Sequence, residues 1–408
     1  MPGLRRIGIG IAALALAALS ASHALGRINE RKQPAIAVGT VPINGTGLAE
    51  MAERILAGSI EQANAMAPKL NSAQSAEVAS LSRKAFALEP LSVTALRNLA
   101  LVAEAEGDIA KARTLMRNAA RLSRRDFWTQ TWLLRDYAKQ GDLTNSLAAF
   151  DRTLRTSPSG QTRMLPAMFN LLARADLIEP LTMLLLKRPP WADAFWREAP
   201  KHPAGLANAA AIRAELVRQG IPGDENQNRA LLNALAAAEE FAAAHLLFTA
   251  LAGEPPPNLQ ALRNHDFDHM PGFAPFDWTT RFDSSLSTDL VRSDGTLRIS
   301  TFSSGSGLAA SQLLQLDPGV YTLRVSLNEW DAADEDAVDV RLRCAQGGSG
   351  LDSGAVRISH AEFSQQLAVP QTDCRYYWFE IHAAPQADRR DNTIVIDAIS
   401  LERDGPRA

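Results

Sequence analysis

A Gly-Asp turn occurs at Gly107-Asp108 and again at Gly141-Asp142, 34 residues on, and this spacing constrains the chain more than any other feature. The register holds around each turn. Ala112 is answered by Ser146, Met116 by Phe150 and Arg124 by Pro158; one step back, Ala85 stands where Ala119 does and Pro90 where Arg124 does. Small residues let two helices cross closely, a large apolar residue one turn on fills the space beyond, and glycine lets the turn reach positive φ. The spacing therefore predicts stacked helical hairpins.

Apolar stripes agree with that period. Val93 to Glu106 carries Leu96, Leu99, Ala100 and Ala103 on one side, and Ile109 to Leu122 answers with Ala112, Leu115, Met116 and Ala119. Phe127 to Gln140 and Leu143 to Arg155 repeat the pair, while Ala49 to Ala67 and Ser75 to Leu88 form an earlier hairpin closed by Pro90. After Pro158 the register weakens. Ala175-Asp176 falls where the next Gly-Asp belongs, Pro180 replaces the small residue, and Pro189-Pro190 ends the helix, so Gln161 to Leu186 reads as a degenerate hairpin. Trp191, Phe195 and Trp196 are expected to cap the core, and further helices reach Gly253, which makes about five hairpins in all.

The pattern resembles the tetratricopeptide repeat, and the resemblance implies a solenoid that docks a protein partner. In such solenoids the first helix of each hairpin lines the concave face, placing Thr94, Arg97, Leu101, Glu104, Trp128, Thr131, Arg135 and Ala138 there. Arg97, Trp128 and Arg135 are the partner-groove candidates, suited to an acidic peptide or a sugar acid. The competing reading is a solvated helix face with scattered charges.

The N-terminus carries Arg5 and Arg6, the apolar run Ile7 to Leu19, and small residues at Ser22 and Ala24. That is the pattern of an export signal cut after Ala24, with an uncleaved inner-membrane anchor as the alternative. Either places the bulk of the chain in the periplasm or cell envelope. The only cysteines, Cys344 and Cys374, allow one disulfide in such a compartment. Net charge is −3, which speaks against nucleic acid as a partner. The balance is uneven: from Asn258 onward there are 13 Arg, no Lys and 22 acidic residues.

Past the prolines at 255 to 257 the helical period stops. Phe276 to Phe282, Thr296 to Phe302, Gly319 to Glu329, Ala337 to Cys344, Phe363 to Val369, Cys374 to His382 and Asn392 to Leu401 alternate apolar with polar, predicting a two-sheet jelly roll of eight to ten strands. Three stretches are similar to carbohydrate-binding-module sandwiches of the galactose-binding type. They are Asn264-His265-Asp266-Phe267-Asp268 with Trp278, Leu316 to Leu323, and Ile396 to Leu401. The resemblance implies a structural calcium ion between the first and last strands, for which Asp268 and Asp397 would supply carboxylates; the alternative is two turn-forming aspartates. No cofactor is otherwise required.

A pyranose has apolar faces edged with hydroxyls, so a sugar site needs an exposed aromatic beside hydrogen-bonding groups. Tyr377, Phe379 and Ile381 share one face of their strand and are expected in the core, leaving Tyr376, Trp378 and Glu380 on the other; Trp330, beside an acidic run, is a further candidate, and for each aromatic the competing reading is burial in the core. His265, Asp266, Asp268 and His269 resemble a metal cluster, but an extended strand sends His265 and His269 to one face and the aspartates to the other. No His-Glu-x-x-His, Gly-x-Ser-x-Gly or phosphate loop is present.

The expected organisation is a signal or anchor (1–24), a linker (25–47), a tetratricopeptide-like α-solenoid (48–253), a hinge (254–262) and an antiparallel jelly-roll β-sandwich (263–405). The expected function is that of a non-enzymatic exported scaffold. It would dock a protein partner through the repeats and contact an envelope polysaccharide through the sandwich, in polysaccharide assembly or export. The alternatives are a pure protein-interaction scaffold and a glycan-active hydrolase.

Overall fold

The computed structural model of the chain describes residues 2–41, 43–63, 68–253, 258–302, 305–328, 337–346, 353–384 and 391–404. Two compact units divide it, residues 1–164 and 165–408. The change from helices to strands thus falls inside the second unit. The expected hinge prolines, Pro255 to Pro257, lie outside the described residues.

The first unit is helical: α1 (Pro2–Asn29), α2 (Pro34–Thr40), α3 (Gly45–Ala63), α4 (Ser72–Leu88), α5 (Val93–Ala105), α6 (Ile109–Leu122), α7 (Phe127–Lys139), α8 (Leu143–Thr156) and the start of α9 (Pro158–Leu171). The two Gly-Asp turns are alike in atomic detail. Gly107 at φ 84° and Gly141 at φ 72° end α5 and α7 in the left-handed region. The N–H of the following residue then returns to a carbonyl of the last turn, Asp108 to Ala103 at 2.8 Å and Asp142 to Tyr137 at 2.9 Å. The same aspartates accept from the Lys111 and Asn145 backbone N–H groups, capping α6 and α8. Each glycine stops one helix and each aspartate starts the next, so α5 packs on α6 and α7 on α8. Ala100, Ala103, Ala112, Met116 and Ala149 meet in one buried cluster.

Residues 25–47 are not the irregular linker their composition suggests. α1 runs through Asn29, Pro34 occupies the first turn of α2, where a missing N–H costs nothing, and Ala37 is fully buried. Arg54 on α3 ties the intervening turn down through the carbonyls of Arg31 and Lys32. Among the described residues no helix is long and apolar enough to cross a membrane.

The second unit continues with α10 (Ile178–Leu185), α11 (Ala192–Glu198), α12 (Leu206–Arg218), α13 (Glu225–Ala237) and α14 (Phe241–Ala252). Trp191, Phe195 and Trp196 are buried as expected, with Phe195 stacked on Phe169 at 4.7 Å and the buried Arg213 guanidinium 3.7 Å from the centre of the Trp196 ring. The turn before α14 repeats the glycine turns without glycine: Glu239 takes φ 58° and the Glu240 N–H reaches the Leu235 carbonyl at 2.9 Å.

Among the described residues ten strands follow: β1 (Thr279–Thr280), β2 (Leu286–Val291), β3 (Thr296–Thr301), β4 (Gly307–Gln315), β5 (Gly319–Asn328), β6 (Val338–Cys344), β7 (Val356–Arg357), β8 (Glu362–Val369), β9 (Tyr376–Ala383) and β10 (Asn392–Arg403). They form two five-stranded antiparallel sheets, β1-β4-β9-β6-β7 and β2-β3-β10-β5-β8. With β1 and β2 set aside, the orders 4-9-6-7 and 3-10-5-8 are those of a jelly roll. One apolar core fills the space between the sheets, drawing Tyr321, Leu323 and Val325 from one and Tyr377, Phe379 and Ile381 from the other.

On the outer side of the second sheet, Thr322, Arg324 and Ser326 pair with Asp404, Glu402 and Glu362, as a solvated face should. The disulfide joins Cys344 to Cys374 with Cα atoms 6.0 Å apart, both residues within the core. The expected strand at Phe276 to Phe282 shrinks to β1. Asp277 accepts from the Gly272 and Phe273 N–H groups and from Arg263, which coils the chain there and removes the extension a strand needs.

Candidate functional site

Because Tyr377, Phe379, Ile381 and Ala383 enter the core, Tyr376, Trp378, Glu380 and His382 must point outward from the first sheet. Residues directly opposite share a face, so the register builds rows across it. His382 lies between Leu308 and Asp339, and Asp339 stands opposite Arg357; Glu380 lies between Ser311 and Arg341; Trp378 lies between Leu313 and Arg343. One end of the face is charged and the other is apolar. Trp378 stands at the seam.

The charged end is a set of matched pairs. Glu380 is buried, receives Arg343 Nη2 at 2.7 Å and pairs with His382 Nε2 at 3.1 Å. The hydrogen bond with His382, and then that from Arg343, holds its carboxyl below the usual range against the opposing effect of burial. Asp339 receives Arg341 Nε at 2.8 Å. Both guanidinium side chains stay well exposed, 41% for Arg341 and 47% for Arg343.

The apolar end is occupied by the chain itself. α14 lays Phe241 against Tyr376, ring centres 5.6 Å apart, and edge-on to Trp378 at 6.5 Å; Phe248 stacks on Phe276 at 4.7 Å. Tyr376, expected to offer its ring to a sugar on a wet face, is instead 6% exposed, with its hydroxyl 3.4 Å from His245 Nδ1. Its apolar side chain is explained by the helix above it. Trp378 is only half-buried, and Arg343 is its direct cross-strand neighbour. Trp330 and the acidic run after it lie outside the described residues.

The helix seat is expected to make the second unit sensitive to acid. Burial alone holds His245 below its ordinary pKa, so on acidification the unfolded chain takes up a proton first. Stability present above about pH 6.5 is expected to be lost as the pH falls from there toward the depressed folded value. His245→Gln should flatten that slope in urea titrations between pH 7.5 and 5, whereas an unchanged slope would place the histidine outside the transition.

The partner-groove candidates of the first unit separate. Arg97 is 4% exposed, not the groove cation expected, because it sits between helices and binds Glu53 at 2.7 Å and Asp126 at 2.6 Å. Arg135 is held by Glu104, which also accepts from Trp132 Nε1 at 2.8 Å. Trp128 is 55% exposed, in edge contact with Phe127. Of the three, it is the most exposed.

The segment expected as a first strand, Asn264 to Asp268, is a turn, with Asn264 at φ 50° and Phe267 at φ 55°. Strict alternation is lost, and Asp266, Asp268 and His269 come to lie with one ligand atom each within 4.8 Å of one another, all exposed. Asp397, half-buried where the β10 register shifts, is not of that group. Calcium takes six to eight oxygens, backbone carbonyls among them, more than the two carboxylates of that surface group supply by themselves.

No protein-family model matches the chain, and no curated protein matches it. Among solved structures, TmCBM61 in complex with β-1,4-galactotriose matches at 15% identity and a TM-score of 0.24, over 35% of this chain and 97% of that one.

Proposed function

We propose that the chain is a non-enzymatic scaffold of the cell envelope that contacts glycan at the outer face of the first sheet. The observation that carries this reading is the half-open Trp378, set between the helix-covered rows and the charged rows of Arg343, Glu380 and His382. An aromatic face edged by fixed donors and acceptors is what a pyranose needs. The disulfide agrees with an oxidising compartment outside the cytoplasm. In this reading the first unit docks a protein partner, with Trp128 as the exposed anchor, and the assembly serves polysaccharide assembly or export.

The electrostatics do not suit Glu380 to the acid role of a glycosidase. A glycosidase acid needs a raised pKa at neutral pH, whereas Glu380 is held low by His382 and Arg343. Its carboxylate suits the binding of hydroxyls. The exposure of Trp128 also fits a pure protein-interaction scaffold, in which the sandwich binds no sugar. Affinity electrophoresis of the whole chain through gels containing soluble polysaccharides separates the two. Retardation by at least one polymer, reduced at least about tenfold in affinity by Trp378→Ala, is the expected result; no retardation by any envelope polysaccharide would favour the scaffold.

A further inference from the structure

Resting on the reading of this face as a glycan surface, we infer that the sugar it takes is a hexuronate, whose carboxylate is received by the guanidinium of Arg343. The first ground is a local reversal of charge. From Asn258 onward the chain has 22 acidic residues against 13 arginines. Yet on the outer face of the first sheet, among the described residues, Arg341, Arg343 and Arg357 stand against Asp339 and Glu380. Three of the thirteen arginines thus share this face, and Arg343 is the one directly beside Trp378.

The second ground is how the pairs are made. Glu380 has two partners, Arg343 at 2.7 Å and His382 at 3.1 Å, so Arg343 is not the only group that satisfies it. Glu380 engages Nη2 of Arg343, and the side chain remains 47% exposed. A guanidinium is a planar fork of five donors, able to hold one carboxylate at one edge and a second at another. The first contact orients the fork, so little rotamer freedom is left to lose when a ligand arrives.

The third ground is position. Arg343 is the direct cross-strand neighbour of Trp378, and such neighbours stand about 5 Å apart. A pyranose lying against the Trp378 ring carries its C6 substituent outward from the ring edge, toward its neighbours. For a neutral hexose that substituent is a hydroxymethyl group, which gives one weak hydrogen bond. For a hexuronate it is a carboxylate, matched in charge and in shape to the fork.

The test uses the full chain and three acidic polymers, polygalacturonate, alginate and hyaluronate, each beside its own carboxyl-reduced form. Wild-type protein is expected to bind at least one acidic polymer about tenfold or more tighter than the reduced polymer, with the ratio shrinking as salt rises. Arg343→Gln should bring that ratio close to one by weakening the acidic polymer much more than the reduced one; Arg343→Lys should keep part of it. Arg324→Gln, on the outer face of the opposite sheet, should leave the ratio unchanged, and thermal unfolding of each variant shows that the fold is intact. Equal binding to acidic and reduced polymers, or a ratio that survives Arg343→Gln, overturns the hexuronate while leaving the glycan reading standing. No binding to any of the six polymers, with every variant folded, overturns the hexuronate, and the glycan reading falls as well where no envelope polysaccharide retards the chain.

Discussion

Phe241→Ala is expected to cost the second unit about 3 to 5 kcal/mol, the range for removing a fully packed phenylalanine. Phe241 is 3% exposed and touches both Tyr376 and Trp378. Truncating it leaves a void over the outer face of the first sheet and opens two large rings to water. Urea unfolding followed by tryptophan fluorescence should show the transition of the second unit shifting to lower denaturant. Leu246→Ala on the same helix, where the side chain is 43% exposed, should move it by less than about 1 kcal/mol. A Phe241→Ala variant as stable as wild type would mean that α14 does not sit on the sheet. The same contact predicts that a fragment starting at Asn258 aggregates while residues 165–408 stay monomeric, because the sandwich then loses the cover of its apolar rows.

Reduction of the disulfide is the second large effect. Cys344 and Cys374 are separated by 30 positions, and in the chain-entropy model closing a loop of that size restricts the unfolded chain by roughly 3 to 4 kcal/mol. Both residues lie in the sandwich core, so the Cys344→Ala, Cys374→Ala double variant should unfold at lower denaturant in the second unit and leave the first unit's transition in place. A loss below about 1 kcal/mol would show that residual structure in the unfolded state already holds that loop.

Legibility in the sequence followed the strength of the local physics. The Gly-Asp turns were readable because a left-handed glycine and a capping aspartate are each required at one position by backbone geometry. The turn at Glu239 was not, because it takes the same φ without the glycine that signals it. β5 could be read from its alternation, since one face enters the core and the other meets solvent. β4 could not: Ala309 to Leu314 is buried on both faces, so it has no period-two contrast. Residues 25–47 looked like a linker because tertiary contacts, not propensity, make α2 a helix.

At the candidate site the alternation of β9 placed Tyr376, Trp378 and Glu380 outward. Nothing local in β9 could reveal that a helix more than a hundred residues earlier covers Tyr376. The signal that existed was the apolar content of α14 itself, where Phe241, Leu247 and Phe248 exceed what packing against a neighbouring helix demands. Arg97 was misplaced for the opposite reason. A charged residue on the concave stripe reads as exposed until its two carboxylate partners, 44 and 29 positions away, are known.

The measurement that bears most directly on the central claim is hydroxyl-radical footprinting of the whole chain with and without a saturating polysaccharide that retards it. Protection is expected at Trp378 and His382, with Trp128 and the outer residues of the opposite sheet, such as Gln366, unchanged. Protection confined to Trp128 or to the opposite sheet, with Trp378 as reactive as in the free protein, would contradict that claim.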